Sequence, residues 1–77
     1  MKYICVYCFK VDNEIKDFGH VPAEFQDYEE AYKVAVKSLE KSAKYGGYEV
    51  DKDNPLICTK DLGGSIMSIE YTIDEIY

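Results

Sequence analysis

The stretch from Asp27 to Tyr45 most constrains what this chain can become. Set out at 100° per residue, Tyr28, Ala31, Tyr32, Ala35, Leu39 and Ala43 fall on one stripe. Glu29, Glu30, Lys33, Lys37, Glu40, Lys41 and Lys44 fall on the opposite side. Separation this clean at a period of 3.6 predicts a surface helix with one buried face. Asp27 is an N-cap type, and Glu30 three residues on completes a D-x-x-E form of the capping box. Gly46-Gly47 predicts the end, one glycine supplying the left-handed cap. Glu29–Lys33 and Glu40–Lys44 are i,i+4 pairs in the favoured order, each expected to add a few tenths of a kcal/mol. The small alanines predict close approach to a sheet.

The segments around the helix read as strands. Tyr3–Val11 is β-branched and aromatic, with both alternating sets apolar, which predicts an interior strand with much of both faces covered. Asp12-Asn13 is a two-residue turn, since both types tolerate positive φ. Glu14 to Phe18 returns as a shorter, more polar strand, expected near an edge that its charges protect. Residues 19–26 form the connection to the helix. Beyond the helix, residues 48–50 form a short strand, residues 51–55 a turn and residues 56–59 another strand. A turn follows at residues 61–64. Residues 65–73 alternate strictly, Met67, Ile69, Tyr71 and Ile73 against Ser68, Glu70 and Thr72, predicting one buried and one wet face. Residues 74–77 read as an acidic, aromatic tail. The prediction is an α+β single domain over residues 1–77, order β-β-α-β-β(-β). An antiparallel sheet of four to five strands carries one helix packed on one face.

A chain of 77 residues lies near the lower limit for a core without staples, so net stability of only a few kcal/mol is expected. Tyrosine and phenylalanine supply bulk where Trp is absent. The apolar run after Met1-Lys2 ends at Lys10, too short for a signal peptide or a membrane span, so a cytoplasmic location is expected. Three cysteines suit that compartment. Cys5 and Cys8 form C-x-x-C, but within a strand they point to opposite faces, about 10 Å apart along the chain, and cannot share a metal. Core thiols are the expectation, with no metal and no cofactor.

No catalytic signature is present: no G-x-S-x-G, no H-E-x-x-H and no Gly-rich phosphate loop. Gly63-Gly64 precedes a strand, so it offers no helix N-terminus to phosphate. The D-x-D-N at Asp51–Asn54 lacks a calcium loop's glycine and closing glutamate, Leu56 and Leu62 standing there instead. His20 is alone, with no partner for catalysis. A non-enzymatic protein is expected.

Charge carries the remaining information. The net charge is −6, and every basic residue is Lys. Without Arg, the usual bidentate reader of phosphate and guanine, direct nucleic-acid binding is not expected. The helix is nearly neutral, whereas the rest of the chain holds twelve acidic and five basic residues, a net of −7. Those carboxylates concentrate at Asp12, Glu14 and Asp17, at Asp51 and Asp53, and at Glu70, Asp74 and Glu75, with Tyr77 beside them. On neighbouring edges they would form a strip able to imitate a phosphate backbone. The plain alternative is a scattered, solubilising surface.

In size, charge and β-β-α-β-β pattern the chain resembles the small acidic inhibitors of phages and mobile elements, including anti-CRISPR proteins. That resemblance implies a partner-blocking role and assigns no individual residues. Tyr3 and the Glu29-Glu30-Ala31 helix start are also similar to the N-terminal domain of HicB-type antitoxins, although a third strand before the helix and a DNA-binding segment are missing. The expected function is therefore a non-catalytic inhibitor, anti-CRISPR in its most concrete form. It would use the acidic, tyrosine-bearing surface to block a basic nucleic-acid-binding site on a larger protein such as a CRISPR effector. The partners expected exclude nucleic acid and membrane, and the chain would be a monomer or a homodimer. The rival expectation is an antitoxin-like or structural oligomerisation module that pairs through a sheet edge.

Overall fold

A computed structural model describes residues 1–76; Tyr77, and with it that expected contact, lies outside the described residues. The apolar opening run forms β1 (Tyr3–Val11) and reverses into β2 (Glu14–His20). The two turn residues, Asp12 and Asn13, have φ of 51° and 68°. A tight hairpin turn requires such left-handed values, and Asp and Asn are the non-glycine types that reach them most easily. The helix α1 (Tyr28–Gly46) follows, then β3 (Glu49–Val50), β4 (Ile57–Asp61) and β5 (Ile66–Glu75). The strands form one antiparallel sheet in the order β2-β1-β5-β4-β3. Among the described residues the class is α+β with one helix, and the sheet has five strands.

The ends of α1 follow from its sequence. Asp27 is the N-cap, with Oδ1 accepting from the Glu29 N–H at 3.1 Å. Gly47 closes the other end at φ 74°, a value that favours glycine because a Cβ there crowds the backbone. The second half of the capping box is absent from the hydrogen bonds, since Glu30 does not reach back to Asp27. Nor do the expected Glu29–Lys33 and Glu40–Lys44 pairs close. The ion pairs of the described residues are Lys2–Glu24, Lys10–Glu70 and Lys16–Glu14, all outside the helix. Holding two long exposed side chains together costs rotamer entropy comparable to the screened attraction between them.

The core is a single cluster. Ala31, Ala35, Leu39 and Ala43 of α1 bury together with Cys5, Cys58 and Tyr71 of the sheet. Those three strand residues share a face, because Cys5 stands opposite Ile73, Tyr7 opposite Tyr71, and Cys58 opposite Ile69. The helix stripe is thus narrower than expected. Tyr28 is half exposed, since it sits at the helix start with its ring edge-on to Tyr3 at 5.8 Å and beside Tyr32 at 6.4 Å. Small residues, one leucine and Tyr71 make the core, and the other aromatic side chains packed against it lie at its margin.

Three strands run further than expected for reasons of pairing; β4 continues through Lys60 and Asp61, opposite Met67 and Ile66, so Asp61 is strand and not turn. β2 continues through Gly19 and His20, which stand opposite Tyr7 and Val6; at Gly19 the absent side chain leaves room for the Tyr7 ring. β5 extends through Asp74 and Glu75, which pair with Ile4 and Tyr3, so the expected tail is strand. β1 is interior, flanked by β2 and β5, but among its residues only Cys5 is fully buried.

Candidate protein-binding surface

Register decides what each face of the sheet presents. On the face away from Cys5, β1 shows Ile4, Val6, Cys8 and Lys10. Opposite them on β2 stand His20, Phe18 and Ile15, and on β5 stand Asp74, Thr72, Glu70 and Ser68. Phe18 is 74% exposed and Ile15 58%, a large apolar pair left in water beside half-buried Val6 and Cys8. A residue-by-residue alternation would send Ile15 and Phe18, three apart, to opposite faces. A bulge makes the difference. Phe9 pairs with Asp17 but Lys10 pairs with Ile15, leaving Lys16 as the extra residue. The periodicity of β2 carries no signal of that bulge, so this apolar patch was invisible to sequence reasoning; only the presence of Ile15 and Phe18 in a polar strand hinted at it.

The expected acidic residues separate into groups. Asp12, Glu14 and Asp17 lie on the β1–β2 hairpin. Asp12 Oδ1 accepts from the Ile66 N–H at 2.9 Å, Glu14 pairs with Lys16 at 3.4 Å, and Asp17 Oδ1 accepts from the Phe18 N–H at 2.9 Å. Asp51 and Asp53 follow β3 on the opposite side of the sheet, where Asp51 Oδ2 accepts from the Asp53 N–H at 3.2 Å. With β2 and β3 at the two edges, four strand spacings put these groups about 19 Å apart. Asp74 and Glu75 lie at the far end of β5, opposite Ile4 and Tyr3, whereas the hairpin tip lies beyond Val11 and Met67. Eight residues of strand make that separation roughly 26 Å. Glu70 stands between, paired with Lys10 at 3.6 Å. The hairpin carboxylates are brought together; the Asp51/Asp53 turn is not joined to them.

The cysteines divide as strand geometry requires. Cys5 is buried and its thiol donates to the Ala31 carbonyl at 3.1 Å, whereas Cys8 stands opposite Phe18 and Glu70 on the other face. Burial pushes the Cys5 and Cys58 thiols above their ordinary range, which suppresses the reactive thiolate. Burial also raises the Tyr71 and Tyr48 hydroxyls. Among the described residues no group of three or more His, Cys, Asp or Glu is placed to hold a metal ion. His20 Nδ1 lies 3.0 Å from the Val21 carbonyl. No helix among them is long and apolar enough to cross a membrane. Comparison with protein-family models, curated proteins and solved structures finds no match to this chain.

Proposed function

We propose that this protein is a non-catalytic binding module that blocks a basic, nucleic-acid-binding surface on a larger protein. An inhibitor of the anti-CRISPR kind is its concrete form. The observation that carries the reading is the sheet face bearing Phe18 and Ile15, which it shares with Glu70 and Asp74 of β5, while Glu14 and Asp17 line the other side of the same edge strand. The buried row of α1 clusters with Cys5, Cys58 and Tyr71, so the helix lies across one face and leaves the other to a partner. Phe18 supplies an apolar anchor, and the carboxylates on its face and along the β2 edge supply complementarity to Lys and Arg. The expected consequence is competition with nucleic acid that weakens steeply with salt. The test is a DNA-binding assay with a panel of CRISPR effectors, each titrated with this protein at low and high salt. Displacement of DNA that fades with salt supports the reading; unchanged DNA binding across the panel, or salt-insensitive association, overturns it.

A second reading is favoured by one observation: β2 is an outermost strand seven residues long, with only β1 beside it. In that reading the chain is an oligomerisation module joined through this edge. Light scattering on the eluting protein separates a dimer from a monomer.

A further inference from the structure

We propose that the partner of the β2 edge is a second copy of this chain, paired antiparallel about a two-fold axis between Lys16 and Asp17. This rests on the sheet-edge reading above and gives it a register. Charges on an outer strand ordinarily discourage pairing. Here their order makes the strand complementary to itself. With the two-fold between Lys16 and Asp17, each copy's Lys16 stands opposite the second copy's Asp17, and each Ile15 stands opposite the second copy's Phe18. Two ion pairs and two aliphatic–aromatic pairs form at once, both of the kinds that stabilise cross-strand neighbours.

The faces agree with this register. Ile15 is opposite Lys10 and Phe18 opposite Cys8, alternate residues of β1 and hence on the same face. Asp17 is opposite Phe9 and Glu14 opposite Val11, both on the other face, where Lys16 reaches Glu14 at 3.4 Å. The bulge therefore sorts the strand into an apolar pair on one side and a charged pair on the other. In an antiparallel continuation of the sheet, like sides meet like sides. Phe18 and Ile15, 74% and 58% exposed in one copy, would each lie against the other's counterpart. The Phe18 N–H is held by the Asp17 side chain at 2.9 Å, so a donor is free for a second strand once Asp17 turns to the opposing Lys16.

Neighbouring registers fail. A slip of one residue in one direction puts Lys16 opposite Lys16, and in the other puts Asp17 opposite Asp17. A slip of two toward the turn puts Glu14 opposite Asp17 twice. Like charges directly opposed destabilise a pair of strands, and a slip of two away from the turn would set Asp17 against Phe18, which lie on opposite faces, so charge and face together select one register instead of preventing association.

The experiment is a concentration series by sedimentation velocity on the wild type, on Lys16→Glu, on Asp17→Lys and on an equimolar mixture of the two variants. Both substitutions are at exposed positions, and circular dichroism checks that each variant is folded. Wild type is expected to dimerise. Each variant alone reverses both ion pairs and should weaken the dimer roughly tenfold or more. The mixture should restore it, because a Lys16→Glu copy and an Asp17→Lys copy pair opposite charges at both positions. A wild type that stays monomeric throughout overturns the sheet-edge reading and this register with it. A wild-type dimer that both variants keep, or variants that stay monomeric when mixed, overturns this register while the sheet-edge reading stands.

Discussion

Asp12 and Ile66 bond in both directions: the Asp12 N–H donates to the Ile66 carbonyl at 2.8 Å, and Asp12 Oδ1 accepts from the Ile66 N–H at 2.9 Å. A carboxylate that charge alone would assign to partner binding thus ties the hairpin turn to the start of β5, more than fifty residues away in the chain. Asp12→Ala should lower stability by about 1–2 kcal/mol, from the lost bond and from placing alanine at a left-handed φ. Asp12→Asn keeps an acceptor and tolerates that φ, and should cost less than about 0.5 kcal/mol. Urea denaturation measures both.

Leu39 is the largest fully buried side chain, and its neighbours in the cluster are mainly alanines and cysteines. Small residues around it cannot collapse into a void. Leu39→Ala should cost about 2–5 kcal/mol. In a domain with only a few kcal/mol to lose, the circular dichroism of the variant should show a largely unfolded population at room temperature.

Lys60 Nζ donates to the Gly46 carbonyl at 2.9 Å, so a positive charge on β4 satisfies an orphan carbonyl at the end of α1. Its amine also lies 6.0 Å from the Tyr48 ring centroid. Lys60→Met keeps the aliphatic stem and removes the charge; stability should fall by about 1 kcal/mol. Amide exchange near Gly46 should accelerate more than exchange near Asp27.

Burial raises the Cys5, Cys58, Tyr71 and Tyr48 groups above their ordinary values of 9.0 for thiols and 10.0 for tyrosines. The unfolded chain therefore loses these protons first as pH rises. Their contribution is fully present below those ordinary values and is lost as pH climbs through the raised ones. Stability should hold through neutral pH, as far as these groups govern it, and fall above about pH 9. Denaturation midpoints across an alkaline series check this. Mass spectrometry after brief thiol labelling at neutral pH should find Cys8 modified before Cys5 or Cys58.

Displacement of nucleic acid from a basic partner should depend on the hairpin and not on α1. Glu14→Lys and Asp17→Lys should weaken it, and Phe18→Ser should weaken it by roughly tenfold or more if the ring is a buried anchor. Lys37→Glu, on the exposed side of α1, should leave it nearly unchanged. Competition titrations at a fixed salt concentration compare the four.

Much of the fold was legible because its signals are local. The Asp27 cap, the left-handed Gly47, the Asp12-Asn13 turn and the alternation of β5 each depend on residues within one turn or one strand. The site was less legible. Asp12 reads as a binding acid because nothing near it in sequence points to Ile66. Asp51 and Asp53 would join the hairpin acids in one strip only on neighbouring edges, and the strand order puts them at the opposite edge. The helix ion pairs fitted the spacing rule, but side-chain entropy outweighs so small a gain on an exposed surface.

The sequence by itself determined the elements: one capped amphipathic helix, a tight hairpin, and strands whose period of two marks their faces. Backbone preferences and periodicity act over a few residues, so they are written directly in the chain. Only the tertiary structure decided that β1 and β5 pair along their lengths, that Tyr28 stays out of the core, and that Ile15 and Phe18 share a face. Those outcomes depend on register between distant segments, where one extra residue, Lys16, redirects every side chain beyond it.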